Sequence, residues 1–488
     1  MASCAEELET VIRARFPLIY LFTFEEERSK ECAVYVANKL SRSVNFWTRT
    51  QGFGDSSTRD PISAIDYVFK ASPGIYVMFD PHPYFREPMF VRKLKDAYFA
   101  LKKSKKNIVL VSSVLQIPLE LEKYVKVIEQ DLPGREDLEE VLGIFKDAYG
   151  DAYFLERGQE ARLLSMARGL TVQEFEGVLS KVLVSNRRID EKVFDELLKE
   201  KKEIIRKTGV LEYFDPEESL EDVGGLDLLK EWLAKRNRAF TEEARKFGLP
   251  EPKGVLLVGV QGCGKSLVAK AIARYWNLPL LKLDPGRLFS GVVGASEERA
   301  RRALNLAESL APAVLWIDEI EKGFSGIESS RYSDAGTASR VYGYIITWMQ
   351  ERKAPVFIVA TANDVGMLPP ELVRKGRFDE IFFVDLPSCE ERKEIFRIHL
   401  KKRHRNPENF DIDYLAEITE GFSGAEIEQV IIDALYEAFY RGRALKTSDI
   451  AYAIEDTIPI SQTMAERISS LRKWAKFRAR PASSSYDF

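Results

Sequence analysis

Cysteine is scarce in this chain, with four among 488 residues (Cys4, Cys32, Cys263 and Cys389) and no Cys-x-x-Cys pair. Histidine is scarcer, and His82, His399 and His404 share no ligand spacing. Neither a disulfide scaffold nor a structural zinc site is expected from such a pattern. No apolar run approaches the roughly 18 residues that a membrane-spanning helix needs. The opening stretch Met1-Ala-Ser-Cys-Ala-Glu-Glu is acidic where a leader peptide is basic. Positive charge is not in surplus either: 72 Lys and Arg stand against 76 Asp and Glu, a formal charge of −4. No global field draws nucleic acid, so any such activity needs a local patch. These absences predict a soluble intracellular protein of a reducing compartment, without a membrane span.

What is present is an apolar fraction of 45% beside 30% charged residues, enough Leu, Ile, Val and Phe for sizeable cores. The length predicts about three domains, with two also acceptable. Short apolar runs alternate with amphipathic stretches, the pattern of a parallel α/β architecture. Strands are predicted at 18–23, 44–47, 74–80 and 107–112, and again at 255–259, 280–283, 313–318 and 356–360. After each set the pattern turns wholly helical. The expected domains are therefore an α/β domain over 1–130, a helical lid and linker helix over 131–206, a second α/β domain over 207–388, and a helical lid with a basic end over 389–488. Laying Leu18 over Val255 without gaps puts Arg28-Ser29 on Lys265-Ser266, and Gly169-Leu-Thr-Val resembles Gly421-Phe-Ser-Gly. An internal duplication explains this, and so do two unrelated α/β domains sharing generic strand patterns.

The sharpest chemical signal is G-x-x-x-x-G-K-S, made of Gly259, Val260, Gln261, Gly262, Cys263, Gly264, Lys265 and Ser266, with Leu267 next in the helix that follows. It stands between a predicted strand and a predicted helix, the context this phosphate loop requires. Its glycines let backbone N–H groups turn inward around a phosphate and the helix N-terminus adds the positive end of its dipole. Lys265 reaches the outer phosphates and Ser266 is expected to ligate Mg²⁺. Some fifty residues on, a strand ends in Asp318-Glu319. Asp318 suits a metal-holding role and Glu319 the polarising of water, which together imply hydrolysis of the bound nucleotide. Alone, such a pair is a solvated turn in most proteins.

From about Asp222 onward the chain resembles an AAA-type ATPase of the subgroup that includes metalloprotease and unfoldase members. Asp222-Val-Gly-Gly-Leu226 is similar to the segment lying beside the adenine. Asn363 matches the polar residue that positions water near the γ-phosphate. Arg374 and Arg377, in Arg374-Lys-Gly-Arg377-Phe-Asp, match two arginines that reach into a neighbour's site. Gly424 and Ala425 match a lid motif that touches nucleotide. The whole chain resembles an AAA-like family of cyanobacteria and algal plastid genomes, a hypothetical chloroplast reading frame of ATPase type. The stretch Thr337-Ala-Ser-Arg-Val-Tyr-Gly-Tyr-Ile-Ile-Thr-Trp-Met-Gln-Glu351 contributes to this likeness. The resemblance implies two tandem P-loop NTPase-like modules, each a parallel sheet sandwiched by helices plus a small lid. It also implies a homo-oligomer, a hexameric ring, and a home in cyanobacterial cytoplasm or plastid stroma.

Departures are equally informative. Val292 and Val293 stand where protein-threading relatives carry an aromatic-hydrophobic pair before Gly294, and Phe289, three residues before Val292, is the nearest preceding aromatic. No H-e-x-x-H protease signature occurs. In the first half Phe24-Glu-Glu-Glu-Arg28-Ser29 has neither the glycines nor the lysine of a phosphate loop, and its carboxylates repel phosphate. Asp80 is followed by Pro81 and His82, so the water-activating acid is missing too. The first module is thus expected to be degenerate. Cys263 offers either a redox-sensitive thiol or a small residue at a tolerant position. The basic stretch Arg467–Arg480 reads as a final lid helix or as a clasp for another surface. Three functions follow: an ATP-hydrolysing motor or switch remodelling a protein client; a slow-turnover, nucleotide-gated scaffold; and a nucleic-acid-remodelling ATPase, which the net charge does not support.

Overall fold

The computed structural model describes residues 2–289, 295–323, 335–374 and 376–486. The chain divides into two compact units, residues 1–200 and 201–488. The first has five strands: β1 (Leu18–Phe22), β2 (Ser43–Trp47), β3 (Gly74–Phe79), β4 (Asn107–Ser112) and β5 (Val125–Glu129). They form one sheet in the order β2-β3-β4-β1-β5, every pair parallel. Alternation along a strand sends successive side chains to opposite faces. Accordingly Ile19 and Leu21 join one core with Leu8, Cys32 and Val36, while Leu18 and Tyr20 join the other with Trp47, Phe90 and Leu94. Helices Arg135–Ala148, Arg157–Ala167 and Val172–Asn186 follow. The last starts at Thr171, whose hydroxyl accepts from the Glu174 N–H while the Glu174 side chain returns to the Thr171 N–H.

The second unit contains β6 (Leu211–Phe214), β7 (Gly254–Gly259), β8 (Leu280–Leu283), β9 (Ala313–Ile317), β10 (Val356–Ala362), β11 (Glu380–Val384) and β12 (Arg480–Pro481). Their order is β12-β11-β7-β10-β9-β8-β6. Without the flanking β12 and β6, this repeats the order of the first sheet: β7 lies between the strands equivalent to β4 and β5, as β1 does. Both halves therefore carry the same parallel α/β plan with a helical lid, and the first lacks the phosphate loop. The sheet has one antiparallel member, since β6 runs against β8 from Leu211 opposite Leu283 to Phe214 opposite Leu280. No strand is predicted over 207–215 from sequence, because four residues with a glutamate among them carry no strand signal until an open edge offers hydrogen bonds.

The lid of this unit packs Phe396, Leu400, Leu415, Val430, Ile431 and Ile450 into its own core. Each such fully buried side chain is worth about 1.5–3 kcal/mol over exposure. Helix Ala465–Arg478 does not join it. Leu471 and Ala475 belong to the core of the large sheet, Arg472 pairs with Asp385 at 2.6 Å, and the chain continues into β12 beside β11. The reading of this stretch as a final lid helix is corrected: its apolar stripe covers the α/β layer. No helix among the described residues is long and apolar enough to cross a membrane.

Candidate functional site

Beyond the carboxyl ends of β7, β9 and β10, where open α/β sheets bind ligands, lies a cavity of about 410 Å³. Gln261, Gly262, Cys263, Gly264, Lys265, Ser266 and Leu267 line it, with Asp318, Glu319, Asn363, Gly424 and Ala425. Gly259 and Val260 sit just behind, outside the lining. Two glycines are needed for steric reasons. At Gly259 a Cβ would lie 1.9 Å from the Val384 carbonyl oxygen, and at Gly262, with φ 78°, it would lie 2.9 Å from Ser423 Oγ. Gly264, also left-handed, opens helix Lys265–Tyr275, whose N-terminal dipole end faces the cavity.

Lys265 is buried, and its Nζ donates to the carbonyls of Gly259 at 2.9 Å and Val260 at 2.6 Å. Burial pulls its pKa from 10.5 down to about 8. A phosphate would restore the charge that burial disfavours. Ser266 Oγ donates to Asp318 Oδ1 at 2.9 Å, which brings together a hydroxyl and a carboxylate, the hard oxygen donors that Mg²⁺ takes. Among the described residues no group of three or more acidic, His or Cys side chains forms a metal cage. These two oxygens therefore suit a cation whose other ligands are phosphate and water.

Glu319 is a non-glycine residue at φ 48°, a left-handed conformation that a β-carbon disfavours. Its N–H donates to Thr361 Oγ1 at 2.9 Å, Asn363 Nδ2 donates to its Oε1 at 3.0 Å, and Lys322 pairs with its Oε2. Asn363 is fixed in turn by its own N–H, which donates to Glu321 Oε1 at 2.9 Å. Burial raises the pKa of Glu321. On the lid side, the Ala425 N–H donates to the Gly262 carbonyl at 3.0 Å. The far wall combines Val223, Gly224 and Leu226 with Ile395, Ile398 and His399 from helix Cys389–Lys402. Burial lowers the His399 pKa.

Several expected residues behave differently. Arg374 is exposed and Arg377 half-buried, and neither lines the cavity. Arg377 Nε has no hydrogen-bond partner among the described residues. Val292, Val293 and Gly294 lie outside the described residues, as does the side chain of Phe289. The Cys263 thiol is pushed up to about 12 by burial, which favours the unreactive reading over a redox sensor. Thr361, Glu321 and Ser483, which also lines the cavity, were not anticipated. Thr361 and Glu321 alternate with recognised residues, Thr361 two before Asn363 and Glu321 two after Glu319, and that spacing was the only available signal.

At the corresponding place in the first unit the polar groups pair with one another. The Glu25 carboxylate, 8% exposed, accepts from Arg28 Nη1 at 2.8 Å and from the Val172 N–H at 2.7 Å. Arg28 also donates to the Asp131 carbonyl at 2.8 Å and to Asp137 Oδ2 at 2.6 Å. A cation and a helix N-terminus, the groups that would greet a phosphate, thus already have internal carboxylates as partners, and of the Arg28 guanidinium only Nε lacks one among the described residues. Glu27, Glu31, Glu140 and Glu176 join Glu25, Arg28, Asp137 and Val172 in lining a cavity of about 270 Å³ there. His82, expected in a loop, opens a short 3-10 helix (His82–Arg86), with its Nδ1 2.9 Å from Ser112 Oγ.

Comparison with known proteins agrees with this geometry. Residues 255–386 match the family described as "ATPase family associated with various cellular activities (AAA)", and 409–451 match the "AAA+ lid domain". Residues 4–130 and 136–208 match the N-terminal and second domains of SpoVK-like AAA ATPases. The AAA domain-containing protein ycf46 of Trieres chinensis is 41% identical over 491 residues, covering 98% of each chain. That of Guillardia theta is 39% identical, over 97% of this chain and 95% of its own. That of Pyropia yezoensis is 39% identical, over 98% and 99%.

Proposed function

The chain belongs to the family of AAA domain-containing ycf46 proteins, and from that premise we propose that its second module binds ATP with Mg²⁺ and hydrolyses it to ADP and phosphate. The observation that carries this reading is the convergence of Lys265, Ser266, Asp318, Glu319 and Asn363 on one cavity. In this reading the amides of the glycine loop and Lys265 receive the phosphates. Ser266 and Asp318 hold Mg²⁺, which when bound neutralises charge developing on the phosphate oxygens. Glu319 accepts the proton of the attacking water and Asn363 orients that carboxylate. Ala425 and Gly424 bring the lid against the loop, so that closure excludes water.

Arg374 and Arg377 act in trans. That neither lines the chain's own cavity, and that Arg377 Nε has no partner among the described residues, support a role on a neighbour's γ-phosphate, where a guanidinium stabilises transition-state charge. Oligomerisation into a ring, hexameric by family likeness, is then part of catalysis. The assembly remodels a protein client in plastid stroma or cyanobacterial cytoplasm. A second reading, a slow-turnover scaffold gated by nucleotide, is favoured by the self-paired Glu25–Arg28 centre, which leaves the first unit free to hold a client.

The test separates ground-state binding from chemistry. Lys265→Ala weakens ATP binding at least tenfold, whereas Glu319→Gln binds ATP like the parent and loses about 10²–10⁴-fold in turnover, the usual worth of a general base. Binding is read by calorimetry and turnover by phosphate release. Parental hydrolysis by Glu319→Gln would remove the assignment of the base.

A further inference from the structure

We propose that Thr361, through its side-chain hydroxyl, is the positioning residue that sets Asp318 and Glu319 for Mg²⁺-nucleotide chemistry. The inference rests on the ATPase reading above and adds a residue that no motif in the chain marks. Thr361 lies on the fully buried β10, and it is itself 2% exposed. A threonine hydroxyl offers one proton and two lone pairs. Here the proton goes to Asp318 Oδ1 at 2.7 Å, and a lone pair receives the Glu319 N–H at 2.9 Å. One side chain thus holds both acids.

Each bond has a separate consequence. Asp318 Oδ1 also accepts from Ser266 Oγ at 2.9 Å. When Ser266 turns its oxygen to a cation its proton can point elsewhere, and Thr361 then remains to orient the carboxylate. Groups that orient a metal ligand in this way are typically worth 10–100-fold in metal affinity or activity. The second bond supports the turn at Glu319. Its φ of 48° is unfavourable for a residue with a β-carbon, and its part-buried N–H would lose this partner if the hydroxyl were absent. Asn363, two residues on and just past the end of β10, then meets the Glu319 carboxylate at 3.0 Å. β10 and the residue that follows it therefore touch the acidic pair three times: at the Asp318 carboxylate, the Glu319 backbone and the Glu319 carboxylate.

The test uses the full chain and compares Thr361→Val, which keeps the shape and loses the hydroxyl, with Thr361→Ala and Thr361→Ser. A fluorescent ADP analogue is titrated in EDTA and then across a Mg²⁺ series, and ATP turnover is measured alongside. The expected result for Thr361→Val is parental affinity in EDTA, a half-saturating Mg²⁺ concentration raised about 10–100-fold, and turnover lowered over the same range. Thr361→Ser restores both. Unchanged Mg²⁺ dependence and turnover in Thr361→Val and Thr361→Ala would overturn the proposal, as would equal losses of affinity with and without Mg²⁺. If Val and Ala variants fail to fold while Ser folds, the hydroxyl serves stability alone and the proposal falls. A parent showing no Mg²⁺-dependent nucleotide binding would fail the ATPase reading itself, a different result from a responsive parent matched by an unaltered Thr361→Val.

Discussion

Replacing Glu25 by alanine tests whether the first module is held shut by its own carboxylate. The carboxylate receives two charge-assisted hydrogen bonds, from Arg28 Nη1 at 2.8 Å and the Val172 N–H at 2.7 Å. Breaking a buried ion pair costs about 3–5 kcal/mol when the partner is stranded. Arg28 is not stranded, because Asp137 Oδ2 at 2.6 Å and the Asp131 carbonyl at 2.8 Å still hold it. The lower end, about 3 kcal/mol, is therefore expected, which for a unit of this size corresponds to about 6–12 °C in melting temperature. The Val172 N–H loses its acceptor at the same time, so local exchange should rise before global unfolding. The assay is calorimetry of the full chain, with ATP present to separate the second unit's transition, and hydrogen exchange followed over residues 170–175. Asp137→Asn alone and combined with Glu25→Ala completes a cycle whose coupling exceeds about 0.5 kcal/mol if the three charges form one network. A shift below about 2 °C with unchanged exchange at Val172 would refute the reasoning, since it would leave the buried cluster without net effect on the lid.

Three further outcomes follow from the site. Because burial lowers the Lys265 pKa to about 8 and a bound phosphate raises it, ATP binding takes up about 0.9 proton at pH 9 and about 0.1 at pH 7. Affinity therefore falls as pH rises from about 8 towards the ordinary lysine value, and binding enthalpies measured at pH 9 in buffers of different ionisation enthalpy should diverge; buffer-independent values would contradict the assignment. Arg374→Ala or Arg377→Ala lowers turnover and leaves ATP binding intact. Mixing either with Lys265→Ala subunits regains activity, because a sound phosphate loop can then face a sound arginine; failure of every mixture, with assembly verified by light scattering, would count against a shared site.

Local chemistry made much of this protein legible in its linear order. A phosphate loop is contiguous, since its glycine, lysine and serine positions must lie within eight residues, Gly259 to Ser266, to wrap a phosphate, and the strand before it and helix after it are written in the same stretch of chain. The eight read strands carry the apolar runs that a doubly covered parallel sheet demands, and they all form. Edge pieces were hidden: β6 with Glu212 inside it and β12 with Pro481 are strands only because a neighbouring edge supplies their hydrogen bonds. The basic helix Ala465–Arg478 looked amphipathic from its spacing alone, but which core its stripe covers depends on packing, and Leu471 and Ala475 join the sheet and not the lid. The same holds at the two phosphate places. Glu25 and Arg28 read as repulsive charge and misplaced cation, while their pairing with Asp137 and Val172, over a hundred residues away, exists only once the lid folds back. Thr361 is one more threonine on a strand until β10 lies beside β9. Function resided in contiguous motifs where backbone shape does the binding, and in tertiary contacts where one side chain must orient another.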